Sequence, residues 1–358
     1  MRDEKMEDML LKVLRSVAPG RPLREGLENV LRAKNGGLIV LAENPEVMGI
    51  VEGGFMLNAD YSPSHLYELA KMDGAIILSK DAKKILAANT QMVPSQDIPS
   101  SETGIRHRTA ERVARQTGTL VIAISQRRGV ITLYKGTLKY VLQDLGLILT
   151  KANQAIQTLE KYRVVLDKFL LSLSVMEFQE SVTLFDVAKV IQRLEMFFQV
   201  VKEIELYTCE LGVEGRLITM QVDELMANVE EEGLLVIRDY ATAQTDKTPE
   251  EIMAVIDRWP AEDYLDLTLI ARALGYSGSS SILDQHVAPR GYRILQKVPR
   301  LPLPVIENLV KTFGALNKIL VASIEELDEV EGIGEVRARS IKEGLRRYRD
   351  LLMKEIQV

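Results

Sequence analysis

The stretch Leu120-Val121-Ile122-Ala123-Ile124-Ser125-Gln126-Arg127-Arg128-Gly129-Val130-Ile131-Thr132-Leu133-Tyr134 decides the fold class. Two apolar, β-prone runs flank a short polar turn. A turn of that length cannot carry a parallel crossover, so the two strands run antiparallel. Upstream, Gly37–Leu41, Gly74–Leu78 and Ile85–Ala88 are further short apolar runs that read as buried strands. Ser62-Pro63 opens a helix between them, with Ser at the N-cap and Pro in the first turn. Another helix starts near Arg106 and stops at Gly118, a good residue for a left-handed C-terminus. Residues 1–34 read as two helices broken at Pro19-Gly20. Strands interleaved with helices, plus at least one hairpin, predict an α/β domain with a mixed sheet.

Downstream of residue 138 the strand signal stops. Residues 140–290 are helix-periodic, with heptad-like apolar spacing from Leu159 through Leu173. Glu230-Glu231-Glu232 reads as a solvated face, and the Gly/Ser stretch at 275–281 as a turn before the next unit. A last unit begins near Arg290. The expected fold is therefore multidomain, α/β plus all-α: an N-terminal nucleotide-binding domain over 1–138, a helical linker or spine over 139–289, and a helix-hairpin-helix unit over 290–358.

Composition narrows the function. The 358 residues carry a net charge of −6, so no surface is basic throughout. The charge is uneven, however. Residues 290–358 hold thirteen Lys/Arg against ten Asp/Glu, and Arg337, Arg339, Lys342, Arg346, Arg347 and Arg349 cluster within them. A mildly basic end on an acidic body suits a DNA-contacting module. One cysteine, Cys209, excludes an intramolecular disulfide and a cysteine metal cluster. The charged opening Met1-Arg2-Asp3-Glu4-Lys5 lacks a secretory signature, and no uncharged apolar run nears the ~20 residues of a membrane span. A cytoplasmic protein with no membrane partner is expected.

Two local anomalies carry the chemistry. Asp73-Gly74-Ala75 sets a carboxylate on a tight turn at the head of a strand. Gly104-Ile105-Arg106-His107-Arg108-Thr109-Ala110 crowds basic side chains into the opening of a helix. Helix N-termini carry partial positive charge and unpaired N–H groups, so they favour acids, not arginines. An anion between the arginines and the helix resolves the conflict, and phosphate is the natural candidate. His65 and His286 lack such company and read as structural.

These two motifs together resemble the diadenylate cyclase family. The chain as a whole, in its order of α/β domain, helical spine and hairpin, resembles the branch of that family that scans DNA integrity. The resemblance implies condensation of two ATP molecules into cyclic di-AMP with release of two pyrophosphates, and opposed active sites in a homo-oligomer, an octamer. It also implies branched DNA such as Holliday junctions as a partner, in genome-integrity signalling. Attack of each 3′-hydroxyl on an α-phosphate calls for Mg²⁺ or Mn²⁺. Asp73 is the candidate metal ligand and hydroxyl activator, and Gly74 and Ala75 let the strand end approach the nucleotide. Gly104, Ile105, Arg106, His107, Arg108 and Thr109 are the candidate phosphate cradle, with Asp73, Arg106, His107, Arg108 and Thr109 as the catalytic set. By the same resemblance Met92 lines the adenine pocket and Ser125 lies near the phosphates. Arg127 or Arg128 reaches the leaving pyrophosphate; the choice stays open, with Arg128 carried as the candidate. The other function class is a non-catalytic architectural DNA-binding protein with a nucleotide-sensing domain. A metal-poised acid beside the cradle favours the enzyme.

At the C-terminal end, Gly332-Ile333-Gly334 lies between two short helices and resembles a helix-hairpin-helix DNA-binding motif. The glycines let backbone N–H groups approach a phosphate, and Arg337, Arg339 and Lys342 add charge. Such a site reads phosphates rather than bases. Arg300-Leu301-Pro302-Leu303-Pro304 lacks these glycines, so one hairpin per chain is expected.

Overall fold

The computed structural model describes residues 2–42, 44–260, 262–278 and 280–355. Ser279, within the Gly/Ser stretch, lies outside them. The chain divides into two compact units, Met1–Gln154 with Glu203–Met220, and Ala155–Lys202 with Gln221–Val358.

The first unit opens with α1 (Arg2–Ser16) and α2 (Pro22–Arg32), followed by β1 (Gly37–Ala42), α3 (Glu46–Gly49), β2 (Val51–Glu52) and β3 (Phe55–Asp60). Next come α4 (Pro63–Leu69), β4 (Ala75–Ser79), β5 (Lys84–Met92), α5 (Ile105–Thr117), β6 (Leu120–Ser125), β7 (Val130–Lys135) and β8 (Leu138–Val141). The strands form one mixed sheet in the order β2-β5-β4-β1-β6-β7-β8, with β3 also paired to β5. Only β1 and β4 run parallel; β6–β7 is the antiparallel hairpin expected from the turn at 126–129.

The continuous apolar runs follow from burial on both faces of the sheet. Ile39, Leu41, Ile76, Leu78, Ile122 and Ile124 point into a core with Leu14, Leu27 and Leu66 of α1, α2 and α4. Their neighbours Leu38, Val40, Ile77, Val121 and Ala123 point into a second core with Ala110, Val113 and Ala114 of α5. The small residues on the α5 side let that helix lie close to the sheet. Three strands escape the sequence pattern. β3 is exposed at every position, β2 is two residues long, and β8 extends the sheet past residue 138.

The remaining elements are α6 (Leu145–Phe178), α7 (Leu184–Leu211), α8 (Arg216–Met226), α9 (Val229–Tyr240), α10 (Pro249–Ile256) and α11 (Leu267–Ala273). The C-terminal part holds α12 (Tyr292–Gln296), α13 (Leu303–Phe313), α14 (Leu316–Val321), α15 (Ile324–Asp328) and α16 (Glu335–Glu355). Two buried ionic joints organise the second unit. The Asp239 carboxylate of α9 accepts the backbone N–H groups of Gly291, Tyr292 and Arg293 at 2.7–3.0 Å and so caps α12. The Arg293 guanidinium, 1% exposed, pairs with Glu177 of α6 at 2.5 Å. Glu177 also accepts the Tyr240 hydroxyl at 2.8 Å.

The expectation of one hairpin per chain needs correction. Arg300 adopts a left-handed backbone, φ +60°, and Gly332 does the same at φ +85°. Each stands four residues after its preceding helix ends and three before the next begins. α12–α13 thus repeats α15–α16, with Val298 and Val330 buried at matching positions. The glycine signature fails there because Arg300 and Pro302 occupy the places of Gly332 and Gly334.

Candidate functional site

The strand registers gather the N-terminal motifs at one end of the sheet. Parallel β1 and β4 both start there, with Leu38 opposite Ala75. Antiparallel β5 and β6 both finish there, with Thr90 opposite Ala75 and Ile124 opposite Gly37. Asp73 is exposed on the turn entering β4. Gly74 has φ +97°, and a Cβ on it would come within 2.8 Å of the Thr90 carbonyl oxygen. Glycine is thus needed both for the turn and for the close approach of β5. The Thr90 hydroxyl donates to the Ala75 carbonyl at 3.0 Å and locks the turn.

α5 brings the cationic motif to the same end. Gly104 is its N-cap, no side chain caps it, and no acid occupies its first turn. Its first N–H groups are left for a ligand. Arg106 lies against Gly36, where any Cβ would overlap its guanidinium. Arg106 has no carboxylate partner among the described residues, so its charge is uncompensated. Arg108 is exposed and bends back to the Glu102 and Thr103 carbonyls at 3.3 Å. Thr109 is half-buried one position further along. Ser125 ends β6, and its hydroxyl accepts the Arg128 backbone N–H at 3.2 Å. Met92 is 7% exposed and packs into the core shared with α5.

His107 turns toward β7. Its Nδ1 lies 3.0 Å from the Tyr134 hydroxyl, and its buried Nε2 has no partner among the described residues. Burial pushes the imidazole pKa down; the cations Arg128, Arg106 and Lys139 add to this against the pull of Glu102. Glu102 receives Tyr134 at 2.8 Å and Lys139 at 2.5 Å. Burial opposes its ionisation, but those two bonds prevail and hold it below the ordinary carboxylate range. The sequence gives no local sign of Glu102 or Tyr134 as site residues, because their roles arise from contacts between separate segments. For Gly36, the Gly36-Gly37 pair ahead of a strand was the one available hint.

In the second hairpin, Ile333 is buried while Gly332 and Gly334 are exposed. A Cβ on Gly334 would meet only Asp328, at 3.9 Å, so the hairpin tip is open. The charged residues nearby are partly engaged. Arg337 donates to the Gly332 carbonyl, and Arg339 pairs with Glu335 at 2.5 Å. Lys342 donates to the Leu320 and Ala322 carbonyls, at 2.9 and 2.5 Å, and closes the end of α14. Arg300, Gly334 and Arg337 line one groove of about 500 Å³ between the two hairpins.

Among the described residues no group of three His, Cys, Asp or Glu could enclose a metal, and no helix is long and apolar enough to cross a membrane. A lone exposed carboxylate at Asp73 still fits a hard cation such as Mg²⁺, which keeps several waters and takes further oxygens from substrate phosphates.

Comparison with known proteins finds three family matches along the chain. Residues 24–138 match the family described as DisA bacterial checkpoint controller nucleotide-binding. Residues 142–283 match its linker region, and residues 315–344 match the helix-hairpin-helix motif. The DNA integrity scanning protein DisA of Carboxydothermus hydrogenoformans is 66% identical over 98% of each chain. That of Clostridium kluyveri is 58% identical over 99% of each, and that of Clostridium perfringens 57% over 96% of each. At this identity over the full length, the chain belongs to the DisA family and is a diadenylate cyclase with a DNA-binding helix-hairpin-helix motif.

Proposed function

We propose that this enzyme condenses two ATP molecules into cyclic di-AMP, releasing two pyrophosphates, and that branched DNA bound at the C-terminal hairpins tunes its rate. The observation that carries the reading is Arg106, an uncompensated cation over Gly36 at the uncapped head of α5, at the same sheet end as Asp73.

In this reading the first N–H groups of α5 (Ile105 through His107) and the Arg106 guanidinium hold phosphate oxygens. Arg108, Thr109, Ser125 and Arg128 close round the triphosphate, with Arg128 toward the leaving pyrophosphate. Gly74 and Ala75 admit the nucleotide to the strand end, and Met92 forms the floor beneath the adenine. Asp73 would hold Mg²⁺ or Mn²⁺ and serve the attacking 3′-hydroxyl. The metal, when bound, neutralises phosphate charge and lowers the hydroxyl pKa.

Each protomer supplies one ATP, so ring closure requires two sites face to face. A homo-oligomer, an octamer by family resemblance, meets that need. The fully exposed β3, with Phe55 58% and Met56 71% exposed, supports a surface that another copy covers. We assign residues 1–138 to catalysis, 139–289 to the spine and 290–358 to DNA, in a cytoplasmic protein. The test is incubation of the purified full chain with ATP and Mg²⁺ or Mn²⁺, then chromatography. Cyclic di-AMP and pyrophosphate in a 1:2 ratio are expected; ATP recovered intact with either metal sinks the reading.

A further inference from the structure

The side chains of Glu102, Tyr134 and His107 form a hydrogen-bond relay that runs from a buried carboxylate to the head of α5. We propose that Glu102 and Tyr134 are positioning residues: they fix His107 as the Nδ1–H tautomer, so that its Nε2 faces the site as an acceptor for a hydroxyl of the bound nucleotide. The proposal rests on the nucleotide-site reading above and deepens it.

The argument is one of counting hydrogens. Glu102 is 8% exposed and accepts from Lys139 at 2.5 Å, so it is held as a carboxylate and has no hydrogen to give. The Tyr134 hydroxyl, on a side chain 1% exposed, has one hydrogen and commits it to Glu102 at 2.8 Å. Toward His107 the Tyr134 oxygen can then only accept. At 3.0 Å, Nδ1 must be the donor. The opposite arrangement would take the Tyr134 hydrogen from a buried carboxylate, a costly exchange.

Burial disfavours the imidazolium, Glu102 favours it, and Arg128 from the β6–β7 turn, Arg106 on α5 and Lys139 on β8 disfavour it. Neutral His107 carrying its hydrogen on Nδ1 has a bare lone pair on Nε2. That atom is buried and finds no donor among the described residues. Buried acceptors are rarely left unpaired, so a ligand donor is its natural partner. A bare Nε2 also cannot donate to phosphate, which leaves that task to Arg106 and the helix N–H groups.

The relay is anchored. Ahead of α5, Ser100 donates to Glu111 at 2.5 Å, Arg112 to the Ile98 carbonyl at 2.9 Å and Arg115 to the Pro99 carbonyl at 3.0 Å. These bonds strap the segment leading to Glu102 along the flank of α5.

The experiment uses full-length protein labelled with ¹⁵N-histidine, in magic-angle-spinning NMR at pH 7.5 without nucleotide. The chain has three histidines, and His107→Gln assigns the signal. The wild type should show a protonated Nδ1 and a pyridine-type Nε2 at His107. Tyr134→Phe should give mixed tautomers. In kinetic assays with ATP and Mg²⁺, Tyr134→Phe should lower kcat by about tenfold with the KM for ATP changed less than about twofold. Glu102→Gln removes a charge that favours the imidazolium, so the acid limb of the pH–rate profile should move to lower pH. An Nε2–H or imidazolium signal in the wild type overturns the proposal. So does a Tyr134→Phe protein with unaltered tautomer and kcat. If Tyr134→Phe does not fold, the wild-type spectrum and Glu102→Gln still decide. If no cyclic di-AMP forms at all, the function reading fails while the tautomer result stands by itself.

Discussion

Arg106 rests its guanidinium on Gly36, at a spot where even a methyl group would collide with it. The colliding atoms belong to the far end of a flexible side chain. Gly36→Ala should therefore leave the fold intact and push Arg106 out of place. ATP affinity should drop as in Arg106→Ala, while the melting temperature without ligand stays within about 1–2 °C. Isothermal titration with a non-hydrolysable ATP analogue and thermal melts check both halves; a large loss of stability would show that Gly36 serves the backbone instead.

Removing both cradle arginines should be additive in the same sense. Each charge-assisted bond to phosphate is worth roughly 1.5–3 kcal/mol. Arg106→Ala with Arg108→Ala should cost far more than tenfold in ATP affinity or turnover. Unliganded stability should not fall, because two cations leave a helix N-terminus that repels them. Arg108 gives up only two long bonds to backbone carbonyls.

Asp73→Asn keeps the shape of an exposed turn residue and deletes its charge. Cyclic di-AMP formation should be abolished with oligomer and melting temperature unchanged. Full turnover in the purified variant would remove Asp73 from the mechanism.

The sheet and the helical half were largely legible in the sequence. Runs such as Leu120–Ile124 are apolar on every residue because both faces of the sheet are covered. β3 was illegible for the opposite reason: Phe55-Met56-Leu57 is exposed, and a register irregularity between Met56 and Ala59 breaks any alternation. Arg106 stood out because it violates a local rule, a cation at a helix N-terminus; Asp73, an ordinary turn residue, stood out only beside it. Tyr134 did not, since an apolar strand residue looks the same whether its hydroxyl is idle or bonded to Glu102, 32 positions away. Arg300 was hidden because the hairpin backbone is kept there without the glycines that advertise it.

Glu195 supplies a pH prediction unrelated to catalysis. It is 1% exposed on α7, and its Oε2 has no partner among the described residues. Burial, then repulsion from Asp257, pushes its pKa up to about 8, against Lys202. An acid with a raised folded pKa binds more protons folded than unfolded, so its contribution to stability is full below about 4.5 and is lost as pH rises through about 8. Glu195→Gln should remove that slope and stabilise the protein by ~1–3 kcal/mol at pH 9. Urea denaturation from pH 5 to 9 measures it; parallel curves for the two proteins would refute the ionisation argument.

At the hairpins, Gly334→Leu with Arg337→Glu should block DNA binding without disturbing the fold, given the open space around Gly334. Basal cyclase activity should persist, and its response to a four-way junction should vanish. Wild-type affinity should fall steeply with salt and depend little on sequence. Arg300→Gly should relieve a left-handed backbone and add about 1 kcal/mol of stability while weakening DNA binding. Unchanged affinity in both variants would detach the groove from DNA.

The Asp239 cap on α12 and the buried Arg293–Glu177 pair bear on how the DNA-binding end can be handled in the laboratory. A fragment cut at residue 290 would leave behind both carboxylates that complete it. Its first helix would begin uncapped, and a guanidinium built for an ionic interior would face water. The hairpin pair is thus grafted onto its spine rather than tethered to it. Fusion proteins or domain exchanges that keep Ala155–Lys202 and Gln221–Val358 together would carry the complete DNA-binding end; those that divide them at the hairpins would not.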